Sequence, residues 1–276
     1  MKTYKSMRDF KAYAYNLSIK YKFEISKYNN DYSVDVDGDV DIAGKHLIEI
    51  PIKFNIVTGN YNCYVNQLTS LKGCPEYVGG EFLCYYNQLT SLEYAPKFIG
   101  GDFRCSDNQI TSLKGCPEII NGCFHCYANQ LTSLEGCPKK VTNGFDCSEN
   151  KLISLEGCPE YIGGDFMCYN NELTTLEGIP NQEIINGWFC CANNKLTSLE
   201  YCPKIINIEF DCSGNELTSL KGSPRFIGTE FLCRNNPLIS LEGAPEIIRG
   251  EWGIEKKYRK FPEYKKYLLI KKIAAL

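Results

Sequence analysis

Histidine, tryptophan and methionine are scarce in this 276-residue chain, at two, two and three copies. No stretch approaches the roughly 18 consecutive apolar residues of a membrane-spanning helix, and the opening MKTYKSMRDFKAYAYNL has neither the apolar run nor the small-residue cleavage site of a secretory signal. These absences make the cytoplasm the expected location. No phosphate loop, G-x-S-x-G, H-E-x-x-H or kinase signature occurs, so no catalytic residue or cofactor is expected and the chain is not expected to be an enzyme. Excess charge is small overall, at −3, but uneven. Residues 1–33 hold seven Lys/Arg against three Asp/Glu and residues 254–276 eight against two, which leaves the span between them at −13. That span would repel phosphates, which argues against nucleic-acid binding. At 43% hydrophobic and 23% charged residues, disorder is also excluded.

What dominates instead is self-similarity. Cysteines recur at 63, 84, 105, 126, 147, 168, 191, 212 and 233, every step being 21 residues except one of 23. Three residues after each stands an asparagine, from Asn66 through Asn150 to Asn236. Two leucine-type positions follow (Leu68 to Leu238, Leu71 to Leu241), then a proline, a Val or Ile, and an aromatic two residues before the next cysteine. The unit reads F-x-C-x-x-N-x-L-T-S-L-x-G-C-P-x-x-I-x-G-x. In an extended segment such as Phe82-Leu83-Cys84, alternation sends Phe82 and Cys84 to one face and Leu83 to the other. Phenylalanine and cysteine are therefore assigned inward, and parallel strands about 4.8 Å apart form one sheet. The asparagine amide is suited to pair backbone groups that the turn leaves open, and near the end, at Asn236, water is expected to be recruited more easily than at central Asn150. Proline and glycine hold the return segment in an extended or short 3₁₀ path.

This unit resembles the leucine-rich repeat, L-x-L-x-x-N-x-L, with Phe and Cys in the strand leucine positions over residues 61–252. The resemblance implies a β-rich solenoid of about ten 21-residue turns with one long parallel sheet, flanked by short helical caps. The expected organisation is an N-terminal cap over 1–39 (helix plus β-hairpin), a solenoid over 40–253 and a basic capping helix over 254–276. Val40 and Ile42 fall one period before Tyr61 and Cys63, and so begin an atypical first turn. The helix is expected over 5–22. Asp37-Gly38, between alternating residues, reads as the hairpin turn. Pro262 suits a helix start, with Tyr264, Tyr267, Leu268 and Leu269 as its apolar side; a helix lying on an anionic membrane surface is the alternative to a cap. The repeats are also similar to the short bacterial-type repeats of secreted effector proteins and to tandem-repeat proteins of large bacteriophages, which the segment VDVDGDVDIAGKHLIEIPIKF resembles too. Effector ligases carry a further catalytic domain that the short segment after Trp252 does not match, so ligase activity is not expected. The phage resemblance implies a repeat scaffold that binds a host factor or defence component.

Sixteen cysteines invite a disulfide or metal reading, which the period mostly dissolves. Nine form the strand ladder and five (Cys74, Cys116, Cys137, Cys158, Cys202) share a slot before proline with Ala95, Ile179, Ser223 and Ala244, as a small packing position would. Cys123 and Cys190 break the pattern and are assigned outward as the most reactive thiols. Cys123-Phe124-His125-Cys126 looks like a zinc half-site, but its cysteines fall on opposite faces, and no metal is expected. His46 has no evident partner.

Three outward columns cross the expected sheet. They offer Tyr64, Tyr85, Tyr127 and Tyr169, with Leu83, Arg104, His125, Met167 and Trp188, beside the acids Glu81, Asp102 and Asp165. Tyrosine, tryptophan and other amphipathic groups concentrate in binding hot spots, and acids favour a basic partner. The 23-residue step adds Asn181 and Gln182 near Trp188, which reads as a bulge made for contact. A monomeric or weakly oligomeric scaffold holding a protein with a basic surface is the expected function. A structural or virion-associated protein and an enzyme or small-ligand protein are the alternatives.

Overall fold

The computed structural model describes residues 3–274, which group into two compact units, one of residues 3–131 with 135–142 and the other of 132–134 with 143–274. Both are built of β-solenoid turns whose inward ladder strands are two residues long, and helices stand near the two chain ends.

In the first unit, helix α1 (Met7–Tyr21) is capped by the Ser6 hydroxyl, which accepts from the Asp9 amide at 3.2 Å. It buries Phe10, Ala14, Leu17 and Tyr21, the spacing of one helical face. Strands β1 (Glu24–Tyr28) and β2 (Ser33–Asp37) pair antiparallel around a turn over 29–32. Strand β3 (Val40–Asp41) pairs in parallel with Tyr61–Asn62, and the ladder runs on through Phe82–Leu83, Phe103–Arg104 and Phe124–His125. The hairpin is therefore displaced from its expected place. At Gly38, with φ +90°, the chain passes from one sheet to another, and β2 pairs in parallel with β4 (Lys53–Val57). Burial of Val40 and Ile42 in the phase of the turns outweighs the local turn preference of Asp37-Gly38.

The second unit repeats the pattern from Phe145–Asp146 to Trp252–Gly253, with its strands in parallel register. Helix α2 (Pro262–Ala274) begins at its proline and lays Tyr264 and Tyr267 on Trp252, with centroids 5.5 and 5.6 Å away. Leu268 and Leu269, expected on the same side, are exposed; the covered face runs through positions 264, 267 and 271, where Lys271 reaches Glu251.

In both units the ladder phenylalanines and cysteines are fully buried or nearly so. Consecutive rings pack against one another, tilted for Phe82–Phe103 at 5.4 Å and stacked for Phe210–Phe231 at 5.6 Å. The return segments take the extended one of the two expected paths and pair as a second column of short parallel strands, such as Tyr77–Val78 beside Phe98–Ile99 and Ile205–Ile206 beside Phe226–Ile227. Their Val or Ile enters the core, while the residue before it stays outside. Glycine at the corner permits this approach: a Cβ on Gly79 would stand 2.0 Å from the Thr58 carbonyl oxygen.

The asparagine ladder ties successive turns together. Asn108 accepts from the Leu89 amide at 2.9 Å and donates to the carbonyls of Cys84, Cys105 and Ser106 at 3.1, 3.2 and 3.0 Å. Each ladder carbonyl is thus shared: Cys84 O also receives Asn87, and Cys105 O also receives Asn129. Asn236 keeps the same set of bonds and is 4% exposed rather than water-fed, because the Tyr258 hydroxyl closes over it and donates to its carbonyl at 3.0 Å. The residue before each asparagine adopts the left-handed conformation, from Val65 (φ 52°) to Asn235 (φ 55°).

Candidate functional site

In the first unit, the outward residues of the ladder strands carry most of the expected contact groups. Tyr64 and Tyr85 lie face to face, with centroids 4.6 Å apart and planes 5° apart. Identical residues one period apart sit directly opposite in a parallel ladder, so the sheet imposes the stack. Tyr86, which is not among the expected contact groups, is exposed and meets the Tyr85 ring edge-on at 5.6 Å. Its left-handed backbone (φ 51°) turns it outward, a conformation that the repeat alone did not reveal. Burial, and then the neighbouring Tyr64, push the Tyr85 hydroxyl above its ordinary pKa, so the Tyr85 ring stays neutral. Leu83, Glu81 and Tyr127 are half-buried on the same unit, Tyr127 lying edge-on to His125 at 6.2 Å.

The acids do more than colour the surface. Asp102 Oδ1 accepts from the Cys123 amide at 2.8 Å, and its other oxygen pairs with the Arg104 guanidinium at 2.8 Å. Burial alone would raise the Asp102 carboxyl, but Arg104 and the Cys123 amide hold it below its usual range. Asp165 likewise accepts from the Trp188 amide at 2.7 Å. Asp102 and Asp165 therefore pin the entry of the following strand, the task that Asn60 performs for Glu81 at 2.8 Å. The Glu81 carboxylate acts instead on Arg104, through its charge.

Around Cys123 the sheet also assembles what the one-dimensional motif could not. Asp102 and Cys123 share an outward column on neighbouring strands, and His125 lies two residues from Cys123 on the same face. Their ligand atoms all lie within 4.8 Å of one another. Cys126, the second cysteine of the half-site, is buried on the opposite face.

In the second unit, Met167, Tyr169 and Trp188 line a recess of about 310 Å³ with Asp146, Cys190 and Glu209. Its field is negative: burial and then Asp146 push Tyr169 up to about 12, and burial followed by Glu230 and Asp211 raises Glu209. Cys190, expected to be reactive, is half-buried, and burial with Asp211 and Glu209 nearby pushes its thiol up to about 12. It is a poor nucleophile at neutral pH, contrary to expectation. Gln182 is turned to the return column rather than toward Trp188, and Asn181 is exposed. The Gln182 amide pairs with the Ile162 backbone in both directions, at 3.2 and 3.1 Å, and donates to Ile184 O at 3.0 Å.

Turns of this length, a strand ladder of inward residues, an asparagine bonded across turns and a second return column define a leucine-rich-repeat solenoid. The chain is similar to YopM from Yersinia enterocolitica WA-314, with a TM-score of 0.50 and 21% identity over 76% of this chain. It spans about half of that protein, 52% of its length. No family model and no curated protein matches the chain. Among the described residues, no helix is long and apolar enough to cross a membrane.

Proposed function

We propose that the chain is a protein-binding scaffold whose contact surface is the outward side of its ladder strands. The observation that carries this reading is the Tyr64–Tyr85 stack in the first unit, with Tyr86 exposed against it. A ring already held by its neighbour surrenders little conformational freedom on contact, which favours binding over the same ring on a mobile loop. Tyr127, Leu83, Arg104, His125, Glu81 and Asp102 complete that surface; Tyr169, Met167, Trp188 and Asp165 offer a second on the other unit. The negative field around Tyr169 and Glu209 suits a partner with a basic surface. Taken with the resemblance of the repeats to bacteriophage proteins, the partner is a host factor or defence component met in the cytoplasm, and the scaffold acts as a monomer or weak oligomer without catalysis.

Affinity capture from host lysate with the intact protein and with a Tyr85→Ala/Tyr127→Ala variant tests the reading. The expected result is a partner lost from the variant while its melting temperature is nearly unchanged. Undiminished capture by the folded variant would place the interface elsewhere.

A further inference from the structure

We propose that Asp102, Cys123 and His125 form a binding site for a borderline divalent cation of the zinc class on the outward face of the first unit. The inference begins with strand geometry. Residues two apart on one strand share a face, and residues one period apart on neighbouring strands share a column about 4.8 Å away. Cys123 and His125 satisfy the first relation and Asp102 and Cys123 the second, and their ligand atoms lie within 4.8 Å of one another.

A tetrahedral zinc ion bound to sulfur, imidazole nitrogen and carboxylate oxygen sets its ligand atoms roughly 3.3–3.6 Å apart. Closing from the observed spacing requires movement of about an ångström, within reach of side-chain rotation. All three residues are half-buried, open to an ion but partly shielded from water. The backbone beneath is fixed, since Phe124–His125 pairs in register with Phe103–Arg104. The Asp102 carboxylate is also fixed in place by the Cys123 amide and Arg104. Each of its oxygens retains a further lone pair for a metal. The Arg104 charge opposes a cation, but Glu81 acts on Arg104 too, and the thiolate and Asp102 together balance a divalent ion.

A sulfur, nitrogen and oxygen set selects zinc or cobalt over calcium and magnesium, which prefer oxygen alone. Binding exchanges the Cys123 thiol proton for the metal, the proton leaving to solvent. Three protein ligands leave the fourth position to water.

Cobalt titration of the reduced, metal-free protein tests the site. The expected result is one equivalent of Co²⁺ giving a thiolate-to-cobalt charge-transfer band in the near ultraviolet, with visible bands of tetrahedral intensity, both erased by Zn²⁺. Cys123→Ser should abolish the charge-transfer band, and His125→Gln and Asp102→Asn should each weaken Co²⁺ binding at least tenfold. Cys190→Ser should change nothing. Far-ultraviolet melting curves establish that each variant is folded, and a second substitution at the thiol, Cys123→Ala, guards against misfolding of the first. Absence of the band in the intact protein, or its persistence in folded Cys123→Ser, would overturn the proposal. Partner capture is measured separately, so failure here leaves the scaffold reading to its own experiment.

Discussion

Replacing Asn108 by alanine in the first unit removes one acceptor and a donor group that reaches three carbonyls. The consequences are unequal. The Leu89 amide loses its acceptor in a fully buried place and is orphaned, at a cost of about 1–3 kcal/mol. The Cys84 and Cys105 carbonyls each keep a second asparagine, Asn87 and Asn129, so each loses only the net worth of one bond, about 0.5–1.5 kcal/mol. Ser106 O keeps the Tyr86 amide. The total is about 2–6 kcal/mol, whose midpoint corresponds to roughly 10 °C in melting temperature for a chain of this size. Asn66→Ala should cost about 1–2 kcal/mol, because the Lys45 amide it serves is exposed and the Leu47 amide half-buried, so water can replace it. A third variant isolates the donor. Asn108→Asp sets a carboxylate against three carbonyls, which raises its pKa in the folded state above the unfolded value near 3.9. The folded form then holds its proton longer, so stability should be unaffected by pH below about 4 and should fall as pH rises from there, levelling off above the folded pKa. Urea unfolding at several pH values reads all three variants through their midpoints at constant slope. Equal losses for Asn66→Ala and Asn108→Ala, or an Asn108→Asp deficit that shrinks as pH rises, would refute the ladder argument.

Val65 holds a left-handed φ of 52° with a β-branched side chain half exposed, so Val65→Asn should stabilise the protein by about 1 kcal/mol in a thermal melt. The Tyr61 hydroxyl is buried without a well-formed hydrogen bond, beside the Cys74 and Cys63 thiols, and Tyr61→Phe should be neutral or stabilising by about 1 kcal/mol in the same assay. Thiol labelling followed by peptide mass analysis should find Cys123 modified well before Cys190 at pH 8. The Cys190 rate should climb about tenfold per pH unit, since a pKa of about 12 leaves it roughly a thousandfold less thiolate than an ordinary cysteine. Gln182→Ala should cost about 1–3 kcal/mol by exposing the Ile162 amide and carbonyl to a cavity, while Asn181→Ala should cost little.

The period made the inward face legible, because Phe82 and Cys84 alternate with Leu83 and every turn repeats the choice. The asparagine ladder could be anticipated from its spacing, although its sharing of carbonyls between turns could not. What escaped reading depended on neighbours outside the local window. Asp37-Gly38 looked like a hairpin because its flanks alternate, but the burial of Val40 and Ile42 is decided 21 residues away, at Tyr61 and Cys63. The second strand column was hidden because single residues such as Val78 and Ile99 face inward there, too few to show an alternation. Cys190 was placed outward correctly by alternation, yet its acidity depends on Asp211 and Glu209, which face it from the next turn. Asp102 meets Cys123 and His125 across neighbouring strands, a relation that no linear motif records.

Gln182 shows how a periodic protein can absorb a change in its own length. Two added residues carry the main chain away from Ile162, and a side-chain amide, chemically the same group as a peptide bond, fills the lost place with one donor and one acceptor. An insertion or deletion is therefore tolerable wherever a glutamine or asparagine can reach the vacated rung. For anyone lengthening or splicing such arrays, the quantity to conserve is the count of paired rungs, and the number of residues per turn is free to vary around it.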